Sequence, residues 1–290
     1  MAPSPTDRPT SWWLDKLRDR AAAEETLELG EPISWASDAE RTAAVRFFNA
    51  AFRAEESGLR QAHELASEVG EWDEDLAEVL RLYGDEEGWH RELLTEFLAF
   101  IGGEIRPMGR VTGTFYRLYG RAKRMESIVL TNLMFETIGS TTYRLALRNV
   151  QHPAARRMLT ILTRDESFHV PLNVHFLERV LERRPASARR RLRALYVLLF
   201  ASLAALPLAS RPKAKAFDRV STLELSRAYA KELGSLFANE PELGLAPPRP
   251  LLWALGLSLA ELRRSPGEAV TSVAAAEAAA DRARVRVTSL

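Results

Sequence analysis

The chain has 290 residues, enough for one large domain or two modest ones. Hydrophobic residues make up 46% and charged residues 27%, a soluble globular balance, and a net charge of +1 gives no general affinity for nucleic acid. With no cysteine, disulfides, thiolate catalysis, zinc ribbons and iron–sulfur clusters are excluded.

In chain order, residues 1–36 read as an irregular lead-in with one short helix around Trp13–Glu25. They lack the apolar core of a signal peptide, and the expected location is cytoplasmic. Ser37 is a good N-cap for a helix running to about Glu68. A second helix covers roughly Glu74–Ile101 and stops at Gly102-Gly103. A third covers about Val111–Val150, broken into a lead piece and a main helix from about Arg121. A fourth opens at Pro153, a favourable first-turn position, and reaches about Arg183. Pro171 lies inside it and should kink it. No stretch alternates like a strand.

Further helices follow over about Ser187–Leu206 and Thr222–Phe237. The first contains the uncharged run 194–210, at the lower length limit for crossing a bilayer. It is read as a buried helix on the bundle, with attachment to a membrane surface as the alternative, because arginines and lysines flank it. Residues 245–252 read as a stiff proline-rich linker, and the Ala- and Arg-rich end as a loosely attached tail. The expected organisation is a lead-in (1–36), a four-helix core (37–183), accessory helices (184–240) and a linker with a loose C-terminal segment (241–290).

The core helices carry the chemistry. In the second, Leu76, Leu80, Tyr83, Glu87, His90, Leu94, Phe97 and Ile101 follow a 4,3 rhythm, so Glu87 and His90 lie within an apolar seam. In the fourth, Ala155, Leu159, Leu162, Glu166, His169, Asn173, Phe176 and Val180 do the same. Glu136 is central to the line Met125, Val129, Asn132, Glu136, Gly139, Tyr143 and Leu147. In the first helix the line Val45, Phe48, Phe52, Glu56, Leu59 and His63 places Glu56 inward, with Glu55 as the alternative. Each core helix thus brings one carboxylate to the centre, and two add a histidine three residues later.

Buried, unpaired carboxylates cost several kcal/mol or more. Four together repel unless protons or cations neutralise them. Two divalent metal ions would compensate them, with neutral imidazoles completing the coordination. The i, i+3 spacing sets Glu and His about 5–6 Å apart at Cβ, within reach of one metal region. Oxygen and imidazole donors suit iron, with manganese–iron as a substitute. The alternative, two solvated helix faces with polar i, i+3 pairs, does not explain the Leu, Phe and Tyr at flanking seam positions. Of the five histidines, His63, His152 and His175 read as structural or surface residues.

This ligand pattern, over roughly residues 40–182, resembles the ferritin-like di-iron carboxylate superfamily. It looks closest to the oxidase and oxygenase branches: acyl-carrier-protein desaturases, aldehyde-deformylating oxygenase, multicomponent monooxygenases and arylamine N-oxygenases. The absence of cysteine removes a rubrerythrin role, and Leu94 and Leu162 stand where ribonucleotide reductases and arylamine N-oxygenases keep a Tyr and a His. The resemblance implies an all-α, ferritin-like four-helix bundle with additional C-terminal helices, holding two Fe ions on Glu56, Glu87, His90, Glu136, Glu166 and His169. It also implies that Asp165 orients His90, that Glu86 does the same for His169, and that Ser140 occupies a proton-delivery position. The expected activity is O2-dependent oxidation of a small hydrophobic organic substrate, with electrons from a separate reductase or ferredoxin. A ferroxidase or manganese–iron protein is the alternative, and a homodimer is compatible with either.

Overall fold

The computed structural model describes residues 8–22, 26–109, 113–114, 122–210 and 215–264. Among them the protein is all-α, a helical bundle with no strand. The helices are α1 (Thr10–Ala21), α2 (Asp38–Val69), α3 (Glu74–Phe100), α4 (Met125–Asn149), α5 (Pro153–Glu182), α6 (Ala186–Ser210), α7 (Lys215–Asp218), α8 (Thr222–Asn239), α9 (Arg249–Ala254) and α10 (Leu259–Arg264).

Local chemistry sets the boundaries. Ser37 Oγ accepts from Glu40 N at 3.2 Å, capping α2, with Asp38 and Glu40 in the first turn to suit the helix dipole. Asp73 caps α3 through Leu76 N at 3.0 Å. A capping box of Ser221 and Glu224 starts α8. Pro153 opens α5, and the helix continues past Pro171 to Glu182, so the proline removes one backbone hydrogen bond without ending the helix. The expected lead piece of the third helix falls largely outside the described residues.

Short turns join α2 to α3 and α4 to α5, giving two antiparallel hairpins that form the four-helix core. The buried apolar residues fall into two clusters. One contains Tyr83, Leu133, Leu172 and Phe176, and the other Phe48, Phe52, Leu94, Phe97 and Leu162. On α2, α3 and α5 the functional carboxylate lies between the helix's contributions to these clusters, and on α4 Glu136 lies between Met134 and Ile138 of the first. A polar layer therefore crosses the bundle between two apolar halves.

The short helix expected in the lead-in forms as α1, and the expectation of an irregular linker after α8 is corrected. The lead-in contributes a docked helix: α1 packs on α3, and Trp13 is 0% exposed, stacked near Phe168 (5.6 Å) and His175 (5.9 Å). Its anchor is the bulky aromatic Trp13, and the buried Leu14 and Leu17 add to the apolar surface the helix removes from water. The proline-rich linker forms α9, because Pro250 falls in the first helical turn, where its missing N–H costs nothing. Leu252 and Leu262 are buried, both close to Gly234 of α8. The expected tail lies outside the described residues.

Among the described residues, Ala186–Leu208 is the stretch long and apolar enough to cross a membrane, with mean hydropathy 1.6. It packs on α8 and α4, with Tyr196 4.5 Å from Phe237 between ring centres. The helix is covered on one side only: Leu192, Tyr196, Leu199, Phe200 and Leu203 are buried, whereas Val197, Leu198 and Leu208 are exposed.

Candidate metal centre

The polar layer brings Glu55, Glu87, His90, Glu136, Glu166 and His169 together, one acid from each core helix and a histidine from α3 and α5. Two overlapping groups form: Glu55, Glu87, His90 and Glu166, and Glu87, Glu136 and His169. Within each, the ligand atoms lie within 4.8 Å of one another and every residue is buried. These buried Glu and His groups are close enough together to hold a metal ion.

The first-helix residue is corrected by one position. Glu55 is 1% exposed, with Oε2 3.3 Å from His90 Nδ1 and Oε1 accepting from Tyr143 Oη at 3.3 Å. Glu56 points outward and pairs with Arg53 at 2.6 Å. On α2 the inward line runs Ala44, Phe48, Ala51, Glu55, Gly58, Ala62, Leu65 and Val69, spaced 4,3,4,3,4,3,4. His63 is surface-placed and meets Asp85 at 3.2 Å.

The two histidines are arranged alike. His90 Nδ1 faces Glu55 while Nε2 lies 3.0 Å from Asp165 Oδ2. His169 Nδ1 faces Glu87 at 3.0 Å and Glu136 at 3.5 Å, while Nε2 lies 2.9 Å from Glu86 Oε2. Each acid thus orients a histidine of the opposite hairpin, Asp165 on α5 for His90 and Glu86 on α3 for His169, leaving both Nδ1 atoms toward the acids. An acid on Nε2 fixes the tautomer in which Nδ1 carries the lone pair.

Among the described residues, three of the buried side-chain atoms without a hydrogen-bond partner belong to this cluster: Glu87 Oε1, Glu136 Oε2 and His169 Nδ1. His169 Nδ1 lies 3.0 Å from Glu87 Oε1 and 3.5 Å from Glu136 Oε2 without forming a hydrogen bond to either. Buried polar atoms are normally satisfied, so three orphans converging on one spot fit a shared cation better than a hydrogen-bonded core. Next to them is a cavity of about 40 Å³, lined by Glu55, Gly58, Glu87, Asn132, Glu136, Gly139 and Glu166 among others. Gly139 leaves room there: a Cβ would sit 3.8 Å from Glu166 Oε2. Gly58 does more, since its Cβ would approach Glu87 Oε2 to 3.0 Å.

The electrostatics show what the acids require. Burial, and then the charges of Glu55 and Glu136, push the Glu87 and Glu166 carboxyls well above the ordinary range. Burial opposes ionisation of Glu136 too, but a hydrogen bond from Glu166, the positive charge of a protonated His169 and the Tyr83 hydroxyl hold it down to about 2. Tyr83 Oη donates to Glu136 Oε1 at 2.7 Å. Burial disfavours the His90 imidazolium, yet Asp165 and Glu55 hold it up to about 10. His169 is raised similarly against burial by Glu87, Glu136, Glu166 and Glu86. Without a cation, the cluster must borrow protons to balance its charge.

Ser140 is 1% exposed and pairs with Ser167 at 3.3 Å, not with a carboxylate of the cluster. Sequence reasoning missed Arg20 of α1, which donates to Glu86 and Asp165. Its only signal was the Trp12-Trp13 pair, too aromatic for a solvated lead-in. Arg164, also missed, bonds its neighbour Asp165. No protein-family model, curated protein or solved structure matches the chain.

Proposed function

We propose that the protein is a di-iron oxidase or oxygenase of the ferritin-like type, using O2 to oxidise a small hydrophobic organic compound. The observation that carries the metal reading is the convergence of Glu87 Oε1, Glu136 Oε2 and His169 Nδ1 without hydrogen-bond partners. Glu55, Glu87, His90 and Glu166 would hold one ion, and Glu87, Glu136 and His169 the other, with Glu87 shared. All donors are carboxylate oxygen or imidazole nitrogen, which suits iron, with manganese–iron as a substitute. When bound, such a pair supplies electrons to O2 and directs the resulting oxidising power at a nearby substrate.

The chain's own residues do the rest. Asp165 and Glu86 hold the Nε2 protons of His90 and His169 and keep both Nδ1 atoms turned to the cluster. Tyr83 and Tyr143 donate to Glu136 and Glu55 and fix their carboxylates. Apolar clusters on both sides keep bulk water from the site. Without cysteine for an internal relay, electrons would come from a separate donor protein.

The cavity favours a second reading. About 40 Å³ takes a few water-sized molecules and not an organic substrate without local opening. A ferroxidase or manganese–iron protein that acts on no organic substrate would need no more. One series of measurements separates the readings. Anaerobic Fe(II) titration should give two ions per chain, and Glu166→Gln should lose one or both. O2 added to the loaded chain should then produce a transient absorption in the near-visible. Oxidised product from a panel of apolar substrates supports the oxygenase, and iron oxidation without product supports the ferroxidase. Absence of stoichiometric iron would overturn both.

A further inference from the structure

We infer that Arg20 is a positioning residue for the metal centre: from α1, it holds Glu86 and Asp165 together so that these acids turn His169 and His90 toward the ligand cluster. This rests on the metal-binding reading above and extends it to a helix that supplies no ligand.

The geometry is a fork across two helices. Arg20 Nε and Nη2 both donate to Glu86 Oε1, at 2.9 and 2.5 Å, and Nη2 also donates to Asp165 Oδ1 at 2.6 Å. Glu86 belongs to α3 and Asp165 to α5, and each orients a histidine of the other's helix. One guanidinium therefore ties both second carboxylates of the centre. Arg164 also donates to Asp165, at 2.5 and 2.8 Å, but it comes from the same helix as the acid it holds. A planar, permanently charged group with several fixed donors can serve two carboxylates at once, whereas an ammonium is a point charge.

Arg20 arrives preorganised. Its guanidinium lies over the Phe168 ring, 4.5 Å from the centre. About two turns earlier on α1, Trp13 is fully buried near Phe168 and His175, and Thr10 Oγ1 is 3.1 Å from His175 Nε2. Apolar packing thus sets where α1 lies, and the arginine is delivered as a consequence. Without it, Glu86 and the fully buried Asp165 would face each other as like charges with one cation fewer, and both imidazoles would lose their fixed orientation.

The test uses the full chain and Co(II), whose visible spectrum reports ligand geometry. Arg20→Ala should weaken Co(II) binding by about 10–100-fold and alter the spectrum. Circular dichroism should be preserved, and Arg18→Ala, on the exposed side of the same helix, should match the unaltered chain. Millimolar guanidinium should restore part of the Arg20→Ala spectrum, which a merely structural defect would not permit. Arg20→Lys, keeping the charge without the fork, should also shift the spectrum, and it carries the test should Arg20→Ala not fold. Unaltered affinity and spectrum in a folded variant, or failure of both variants to fold, would overturn the positioning role. Absence of Co(II) binding by the unaltered chain would overturn the metal reading itself, and this role with it.

Discussion

Glu55 and Glu56 are neighbours in sequence but about 100° apart around α2, so one faces the cluster and the other faces water. The side chain of Glu55 is 1% exposed and that of Glu56 is 43% exposed, engaged with Arg53. Burying the wrong acid would take from Arg53 its carboxylate partner and leave the cluster short of one oxygen donor. Glu55→Gln should therefore weaken Co(II) binding at least about tenfold, and Glu56→Gln should leave it unchanged. Equilibrium dialysis with metal analysis reads both, and the reverse order would place α2 in the other register. The misreading has a physical origin. Phe52 and Leu59 fit either acid, and His63 extends the line through Glu56, but the His63 side chain lies at the surface beside Asp85. Here the stripe near the site is built of Ala51, Gly58 and Ala62, small because α2 must approach Glu87 closely.

At the scale of elements, α3 and α5 were legible throughout: every position of both seams is buried. Their 4,3 rhythm is marked by Leu, Phe and Tyr on both sides of the Glu and His pairs, so the polar interruption stood out. By contrast, α1 was not legible as a functional part, because twelve residues give too short a pattern to show a face. What fixes it is long-range: Trp13 and Thr10 against His175 of α5. This docking carries a pH dependence. Burial, and then the charge of Arg179 against an opposing Asp73, pushes His175 down to about 4 from an ordinary 6.5. A histidine depressed in the fold binds fewer protons folded than unfolded. Its contribution to stability is intact above pH 6.5 and declines as the pH falls through 6.5 toward 4. By pH 4.5 the loss should approach about 2–3 kcal/mol. Urea unfolding at pH 7 and pH 4.5 should show a larger decrease for the unaltered chain than for His175→Gln. Other titrating groups affect both proteins alike and cancel in the comparison, so equal decreases would rule the effect out.

For the whole molecule, the polar layer is a destabilising feature held between two stabilising ones. Four buried carboxylates cost free energy, and the apolar clusters on both sides hold them there. Two outcomes separate a metal centre from a buried proton-sharing network. Metal bound only by the folded state adds about 2.7 kcal/mol at a hundredfold excess over Kd, so chelation should lower Tm by about 5–10 °C. Glu166→Gln separates the terms further. Burial and the charge of Glu136 push the Glu166 carboxyl well above the ordinary range, and a Gln amide can donate to Glu136 without a charge to be buried. The metal-free variant should therefore melt no lower than the metal-free unaltered chain, while the rise on adding metal should shrink or vanish. A structural network would behave in the opposite way, since removing one of its acids would destabilise the protein with or without metal. Differential scanning calorimetry of the four samples, each protein with and without Fe(II) under anaerobic conditions, distinguishes these signs. A variant that melts lower while keeping the full metal increment would mean the layer is there for the fold and Glu166 holds no ion.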